Sequence, residues 1–104
     1  MVYELRTYTL HPGKVNDYLE AVRTHALPVL ESEGSLVGFW STEIGPLNQV
    51  VHLWKYRDLQ DRAEKRAARA KNPRWTEGFL PQIMPLLVSM ETKILTPADF
   101  SPLT

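Results

Sequence analysis

The sequence lacks cysteine, net charge and long hydrophobic runs, and each absence excludes a class of protein. Without cysteine there are no disulfides, thiolate nucleophiles or sulfur-ligated metals, which fits a reducing cytoplasm. With 12 basic and 12 acidic residues, the chain has no general attraction for nucleic acid or anionic membranes. No apolar run approaches the roughly 20 residues that span a bilayer, and strand-like sequence from Val2 leaves no room for a targeting segment. We therefore expect a cytoplasmic protein that neither inserts into membranes nor binds nucleic acid.

The patterns that mark metal, nucleotide and hydrolase sites are also missing. The three histidines, His11, His25 and His52, do not recur at the i, i+4 spacing of helical metal sites. No phosphate-binding loop, nucleophile elbow or paired-carboxylate motif is present. We therefore predict neither a metal nor a cofactor, and we interpret His25 as a partly buried histidine of the first helix.

The first third of the chain has the pattern of a strand followed by a helix. "VYELRTYTL" (2–10) is rich in β-branched and aromatic residues, which favour a strand. Apolar residues then recur at helical spacing over 15–30. Pro28 lacks an N–H group and so predicts a kink or break within 24–28. Gly34 is the type of residue that commonly ends a helix.

The rest of the chain predicts a hairpin, a second helical region and a last strand. Strand-like residues at 36–44 and 49–56 flank Gly-Pro-Leu-Asn, which is a turn sequence. Asp58 is the predicted N-cap of a helix over 59–71, and a second short helical piece follows it. "LVSMETKIL" (87–95) predicts the final strand.

The resulting order, β-α-β-β-α-β, predicts an α+β protein with a ferredoxin-like, four-stranded antiparallel sheet in a single domain, 1–104. In that topology the first and third strands are central neighbours, and both helical regions cover one face. Yet the third strand is apolar on both sides, with Val51 and Leu53 on one and Trp54 and Tyr56 on the other. A second copy of the sheet is the simplest cover for the remaining face. We therefore predict a homodimer that closes as an α/β barrel.

Three stretches resemble the NIPSNAP family: "YELRTYTL" with the following "PGK" (3–14), "GFWSTEIGPLNQVVHLWKY" with "RDL" (38–59), and "ILTPADFSP" (94–102). The resemblance extends over nearly the whole chain and implies a dimeric α/β barrel, in agreement with the residue patterns. It brings no established catalytic residue. Better-understood proteins of the same architecture include cofactor-free monooxygenases and haem-binding or haem-degrading proteins, but a shared fold does not transfer their chemistry.

Polar side chains on the two central strands form the main candidate site. Glu4, Arg6 and Tyr8 share one face of the first strand, and His52 and Trp54 share one face of the third. If these faces coincide, the set suits an anionic or carbonyl-bearing ligand. Arg6 would pair with its oxygen, and His52 would act as an acid or base near neutral pH. The alternative is a structural ion pair in which Glu4 neutralises Arg6.

Trp40 and Trp54 are candidate walls of a pocket, although large aromatic residues in strands more often belong to a core or an interface. A tight turn at 45–48 would place Trp54 opposite Phe39, whereas a one-residue bulge would place it opposite Trp40. The sequence leaves open whether the two tryptophans share a pocket.

The second helical region combines a small-residue stripe with many charges. Leu59, Ala63, Ala67 and Ala70 form the stripe, which predicts close packing on a neighbouring element. The basic residues of 62–74 alternate with acidic partners at i, i+4 spacing. This pattern predicts a solvated helix face rather than a surface for nucleic acid.

The function predicted from these features is a homodimeric barrel that binds a small, partly apolar molecule beside the central strands. Arg6 would anchor a polar group of the ligand, Trp40 and Trp54 would supply walls, and His52 and Tyr8 would donate or accept hydrogen bonds. One alternative is a cofactor-independent, monooxygenase-like enzyme with His52 as its general base. The other is a scaffolding dimer whose polar interior is satisfied internally.

Overall fold

A computed structural model describes all 104 residues as a sheet covered on one face by helices. The strands are β1 (Val2–Leu10), β2 (Leu36–Ser41), β3 (Gln49–Tyr56) and β4 (Leu87–Leu95). The helical regions are α1 (15–33), α2 (Leu59–Ala70) and α3 (74–86). None of the helices has the length and hydrophobicity that a membrane crossing requires.

The four strands form one antiparallel sheet in the order β2-β3-β1-β4. This confirms the predicted α+β, ferredoxin-like topology, with β1 and β3 at the centre. Directly paired residues place their side chains on the same face, and the pairing of β1 with β3 joins Glu4 to Trp54 and Arg6 to His52. The face that carries these four side chains lies under the helices and is called here the helix-covered face. The opposite side is called the second face.

The first helical region, α1, is continuous but not regular. Val15–Ala21 and Leu27–Glu33 are α-helical, and Val22–Ala26 between them forms a π-helical turn. Pro28 lies in the first turn of the last segment, a position where a missing N–H group is tolerated. The predicted break within 24–28 does not occur, and a widened turn at Val22–Ala26 carries the helix past Pro28 instead. Gly34 then ends the helix with a φ of 75°.

The hairpin between β2 and β3 differs from the prediction at its tip. β2 ends at Ser41 rather than at residue 44, and residues 42–48 form an irregular loop. β2 therefore ends three residues before the predicted turn, whose first and last residues, Gly45 and Asn48, have positive φ values of 132° and 63°. The predicted bounds of the other three strands are confirmed.

The rotation of α2 differs from the one predicted by its small-residue stripe. The stripe that begins at Leu59 is exposed, whereas Asp61 and Arg69 are buried. The reason lies beneath the helix, where the carboxylates of Glu4 and Glu33 are withdrawn from water. A buried charge needs a partner of opposite sign, so α2 turns basic side chains inward. Part of the face that was predicted to be solvated is therefore buried.

The second face of the sheet has no layer of helices over it. The molecule measures 40 × 35 × 19 Å, and its short axis accommodates the sheet and one helical layer. Leu5, Val51 and Leu53 of the central strands are half-buried on this face, and Trp40 of β2 is 53% exposed. Tyr3 is buried because the last residues of the chain cover that end of the face.

Candidate functional site

A cavity of about 380 Å³ lies between the helix-covered face and the helices. Its polar floor includes Arg6 and Tyr8 of β1 and His52 of β3. Most of the remaining lining is apolar or aromatic, including Trp75 and Phe79 of α3, whose ring centres are 4.7 Å apart. Mostly apolar walls with a few converging polar groups are typical of small-molecule sites.

Aromatic neighbours fix the orientation of His52, which is only 2% exposed. Its ring stacks on Phe39 at a centroid distance of 4.7 Å and meets the ring of Tyr8 edge-on at 4.8 Å. Trp54, two residues further along β3, donates a hydrogen bond from Nε1 to His52 Nδ1 at 2.7 Å. The imidazole is thus held on three sides.

The hydrogen bond from Trp54 also selects the tautomer of His52. An indole N–H group can only donate, so Nδ1 must be the unprotonated nitrogen and the proton of the neutral ring lies on Nε2. This Nε2 is buried and has no acceptor within the chain. Burial, followed by the charge of Arg6, lowers the pKa of His52 to about 3. At neutral pH His52 therefore offers one N–H donor and no free lone pair.

Glu4 is buried behind the floor of the cavity and does not line it. Arg62 of α2 donates to both carboxylate oxygens at 3.0 Å, and the Thr92 hydroxyl donates to Oε2 at 2.7 Å. Burial alone would raise the pKa of Glu4, but these hydrogen bonds and the arginine charges lower it to about 2. Glu4 is thus an ionised anchor that joins α2 and β4 to β1.

Arg6 retains hydrogen-bonding capacity for the cavity because Arg62 is the main partner of Glu4. The Nε atom of Arg6 lies 3.5 Å from Glu4 Oε2 and is buried without a hydrogen-bond partner. The guanidinium carbon lies 5.4 Å from the centre of the Tyr8 ring, which is a cation–π contact. The structural ion pair considered as an alternative is therefore present, but it does not satisfy Arg6.

α2 contributes two arginines to the cavity wall. Arg69 donates to Glu33 from Nε at 2.6 Å and from Nη2 at 2.7 Å, and its guanidinium carbon lies 4.7 Å from the Trp54 ring centre. Burial disfavours its charge, but the hydrogen bonds to Glu33 outweigh burial and raise the pKa of Arg69. Arg66 takes part in none of the ion pairs of the chain.

The side chains predicted from sequence that line this cavity are Arg6, Tyr8, His52 and Trp54. Glu4 lies behind them, as described above. Trp40 was predicted as a wall, but β2 pairs it with Val51, so it lies on the second face and does not reach the cavity. The bulge in this hairpin falls between Leu36 and Gly38. Trp54 pairs with Leu36, so neither of its two predicted partners, Phe39 and Trp40, lies opposite it, and the two tryptophans do not share a pocket.

The helices supply the lining that the sequence patterns did not identify. Trp75, Phe79 and Ile83 of α3 recur at i, i+4 spacing and all line the cavity. That spacing predicts an apolar helix face, but not the element that the face opposes. Arg66 and Arg69 also line the cavity, although their charge pattern favours a solvated surface.

The NIPSNAP family model matches residues 3–102 of the chain. Among curated proteins, human NipSnap homolog 3A is 43% identical over 94 residues, which cover 88% of this chain and 37% of that protein. The NipSnap protein of Drosophila melanogaster is 36% identical over 107 residues, covering 97% of this chain and 36% of that protein. The chain therefore spans little more than a third of the length of these relatives.

Solved structures show the same relationship. A NIPSNAP family protein with unknown function from Agrobacterium tumefaciens has a TM-score of 0.93 and 46% identity, covering 100% of this chain and 94% of that chain. A NIPSNAP domain protein from Burkholderia xenovorans has a TM-score of 0.90 and 37% identity, covering 98% and 99%. A putative antibiotic biosynthesis monooxygenase from Nitrosomonas europaea has a TM-score of 0.71 at 12% identity, covering 93% and 98%, which is a likeness of fold alone.

Proposed function

This chain belongs to the NIPSNAP family, and on that premise we propose that it binds a small, partly apolar molecule in the cavity beside β1 and β3. The observation that carries the proposal is a pair of buried donors, Arg6 Nε and His52 Nε2, that have no acceptor within the chain. Arg6 and His52 are direct cross-strand partners on one face. Leaving a buried donor unpaired costs about 1–3 kcal/mol, and native proteins usually satisfy such groups. An acceptor oxygen on a ligand would satisfy both.

The remaining lining suits an apolar or aromatic body attached to that acceptor. Trp54 and Tyr8 flank the donors, and Trp75 and Phe79 of α3 face them across the cavity. Small-molecule cavities commonly have volumes of about 300–1,000 Å³, and this one, at about 380 Å³, suits a ligand of one or two rings. Burial of such a body supplies binding free energy, while the two donors fix its orientation.

The geometry favours binding over general-base catalysis. A general base needs a free lone pair, but Nδ1 of His52 accepts from Trp54 and Nε2 carries the proton. No carboxylate lines the cavity, and burial raises the pKa of Tyr8, so its phenol stays neutral at pH 7. We therefore assign His52 the role of hydrogen-bond donor, in place of the general base that the enzyme alternative requires.

We further propose that the chain forms a homodimer through the second face. Leu5, Val51 and Leu53 provide an apolar centre there, and Trp40 adds a large exposed ring. A second copy of the same sheet would cover this area with two-fold symmetry, and the two sheets would close as a barrel. The scaffolding alternative shares this interface, so the two readings differ only in whether the cavity binds a ligand.

Isothermal titration calorimetry with 2-naphthamide tests the proposed site. Its naphthyl group represents the apolar body, and its amide oxygen represents the acceptor. We expect the wild type to bind it and His52→Phe to weaken binding about 10-fold or more, because a buried hydrogen bond contributes about 1–3 kcal/mol to such a complex. Phenylalanine keeps a ring between Phe39 and Tyr8, so the packing of the floor is preserved.

His11→Phe is the matched control, because it makes the same substitution at an exposed histidine outside the cavity. It should leave the affinity for 2-naphthamide unchanged. Equal losses in the two variants would refute the proposed site and favour the scaffolding alternative, as would a wild type that binds neither 2-naphthamide nor its carboxylate analogue 2-naphthoate at millimolar concentration.

A further inference from the structure

Charge is distributed unevenly around the cavity, although the chain as a whole has no net charge. Arg6, Arg66 and Arg69 line the cavity, and no carboxylate does. Glu33 lies beside Arg69 and accepts two hydrogen bonds from it, so this pair is neutral. The balance of charge therefore depends on the other two arginines.

Neither of those arginines is fully neutralised. Glu4 carries one negative charge but lies between Arg62, at 3.0 Å, and Arg6, at 3.5 Å, so this group of three retains a positive charge. Arg66 forms no ion pair and adds a second positive charge. Burial is the main cause that lowers the pKa of Arg66, and the neighbouring charges of Arg6 and Arg62 lower it further.

The apolar end of the cavity limits what kind of anion can fit. Met84 and Met90 line the cavity and are also 53% and 57% exposed, so the cavity opens to solvent between α3 and β4. Trp75 and Phe79 of α3 add two aromatic rings to the same lining. Thioether and aromatic side chains pack well against a flat ring. A small inorganic anion would leave this apolar surface unused.

We propose that the ligand is an aromatic carboxylate whose carboxylate group lies between Arg6 and His52 and whose ring lies against α3. This inference rests on the proposed function and names the chemical class of its ligand. A carboxylate accepts hydrogen bonds from the Arg6 guanidinium and from His52 Nε2–H together, because each oxygen has two lone pairs. Charge-assisted hydrogen bonds of this kind are about twice as strong as neutral ones, and burial among aromatic rings strengthens them further.

Calorimetric titration at pH 7 with 2-naphthoate and 2-naphthamide tests the inference. The two probes share the same ring system and nearly the same size, and they differ in charge. We expect the wild type to bind 2-naphthoate about 10-fold or more tightly than 2-naphthamide, because hydrogen bonds to charged groups are worth about 1 kcal/mol or more beyond neutral ones. Arg6→Met should abolish this preference.

Two further variants keep the test decisive if Arg6→Met disturbs folding. Arg66→Met removes an exposed arginine with no ion pair, and it should reduce the affinity for 2-naphthoate several-fold while sparing 2-naphthamide. Arg23→Gln is the control, since its side chain is 66% exposed on α1 and lies outside the cavity. Both probes should bind this control as they bind the wild type.

The two proposals fail in distinguishable ways. Equal affinity for the two probes, or tighter binding of 2-naphthamide, would overturn the anion preference and leave the binding site in place. Failure of both probes to bind would overturn the binding site together with its ligand class. A preference that persists in Arg6→Met and Arg66→Met alike would show that the carboxylate is recognised elsewhere.

Discussion

His52 and Trp54 act together because they lie two residues apart on one strand, with their side chains on the same face. The indole N–H of Trp54 donates a hydrogen bond to Nδ1 of the imidazole, so the Nε2–H group of His52 points away from the indole. A histidine that the sequence marks as a candidate acid or base thus becomes a neutral donor. The change comes from burial and from one neighbouring donor, and neither can be predicted from the residue types alone.

The lowered pKa of His52 predicts that the protein loses stability in mild acid. The pKa falls from 6.5 in the unfolded chain to about 3 in the folded one. Between these values the unfolded state binds more protons, so the free energy of unfolding decreases as the pH falls below 6.5. We expect a loss of about 2 kcal/mol between pH 7 and pH 5 from this group. Glu4, whose pKa falls from 4.5 to about 2, acts in the same direction but only below pH 4.5.

Urea denaturation of the wild type, His52→Phe and His11→Phe at pH 7 and pH 5 measures this loss. The His52→Phe variant should be nearly insensitive to the change of pH, and His11→Phe should behave as the wild type. If His52→Phe retained the full pH dependence, the imidazole of His52 in the folded wild type would have to be protonated at pH 5, contrary to its burial among aromatic rings.

The strands and helices show which features of the fold can be predicted from sequence. β1, β3 and β4 are bounded by turn residues or Pro-containing segments, so their limits follow from the pattern. The end of β2 does not follow from the pattern, because Thr42, Glu43 and Ile44 have strand-like character but lie in the irregular loop after Ser41. That conformation depends on the loop as a whole.

The candidate site is predictable where it depends on the alternation of side chains along the strands. Arg6 and His52 could be placed on one face because β1 and β3 are neighbours in this topology. The position of Trp40 could not be predicted, because it depends on the register at the hairpin loop, where Ser41 pairs with Val50 and Trp40 with Val51. The rotation of α2 could not be predicted either, because it depends on Glu4 and Glu33, which lie on distant elements.

The sheet of this molecule has one face covered by helices and one uncovered face, and a different role is proposed for each. The helix-covered face holds the cavity, whereas the second face presents Trp40 and the apolar residues of β1 and β3. Because the helices are only on one side, the proposed ligand binding and the proposed subunit association would use opposite sides of one sheet. A substitution on the second face should therefore alter assembly without removing any side chain from the cavity.

We expect native mass spectrometry of the wild type to give the mass of two chains. Trp40→Glu should give a single-chain mass, because it replaces a large apolar ring of the proposed interface with a charge. Leu59→Glu is the matched control, since Leu59 is similarly exposed but lies on the helical layer, and it should remain dimeric. A wild type that is monomeric at micromolar concentration would refute the proposed association.

The most direct test of the binding site is ¹H–¹⁵N NMR of the histidine ring nitrogens, because it observes the donor on which the proposal depends. In the free protein at pH 7 we expect His52 Nδ1 to be unprotonated and Nε2 to carry the proton. Addition of 2-naphthamide should shift the Nε2–H signal of His52 and leave the ring signals of His11 unchanged. A proton on Nδ1, or an Nε2–H signal that responds to neither 2-naphthamide nor 2-naphthoate at millimolar concentration, would contradict the assignment of this cavity as a ligand site.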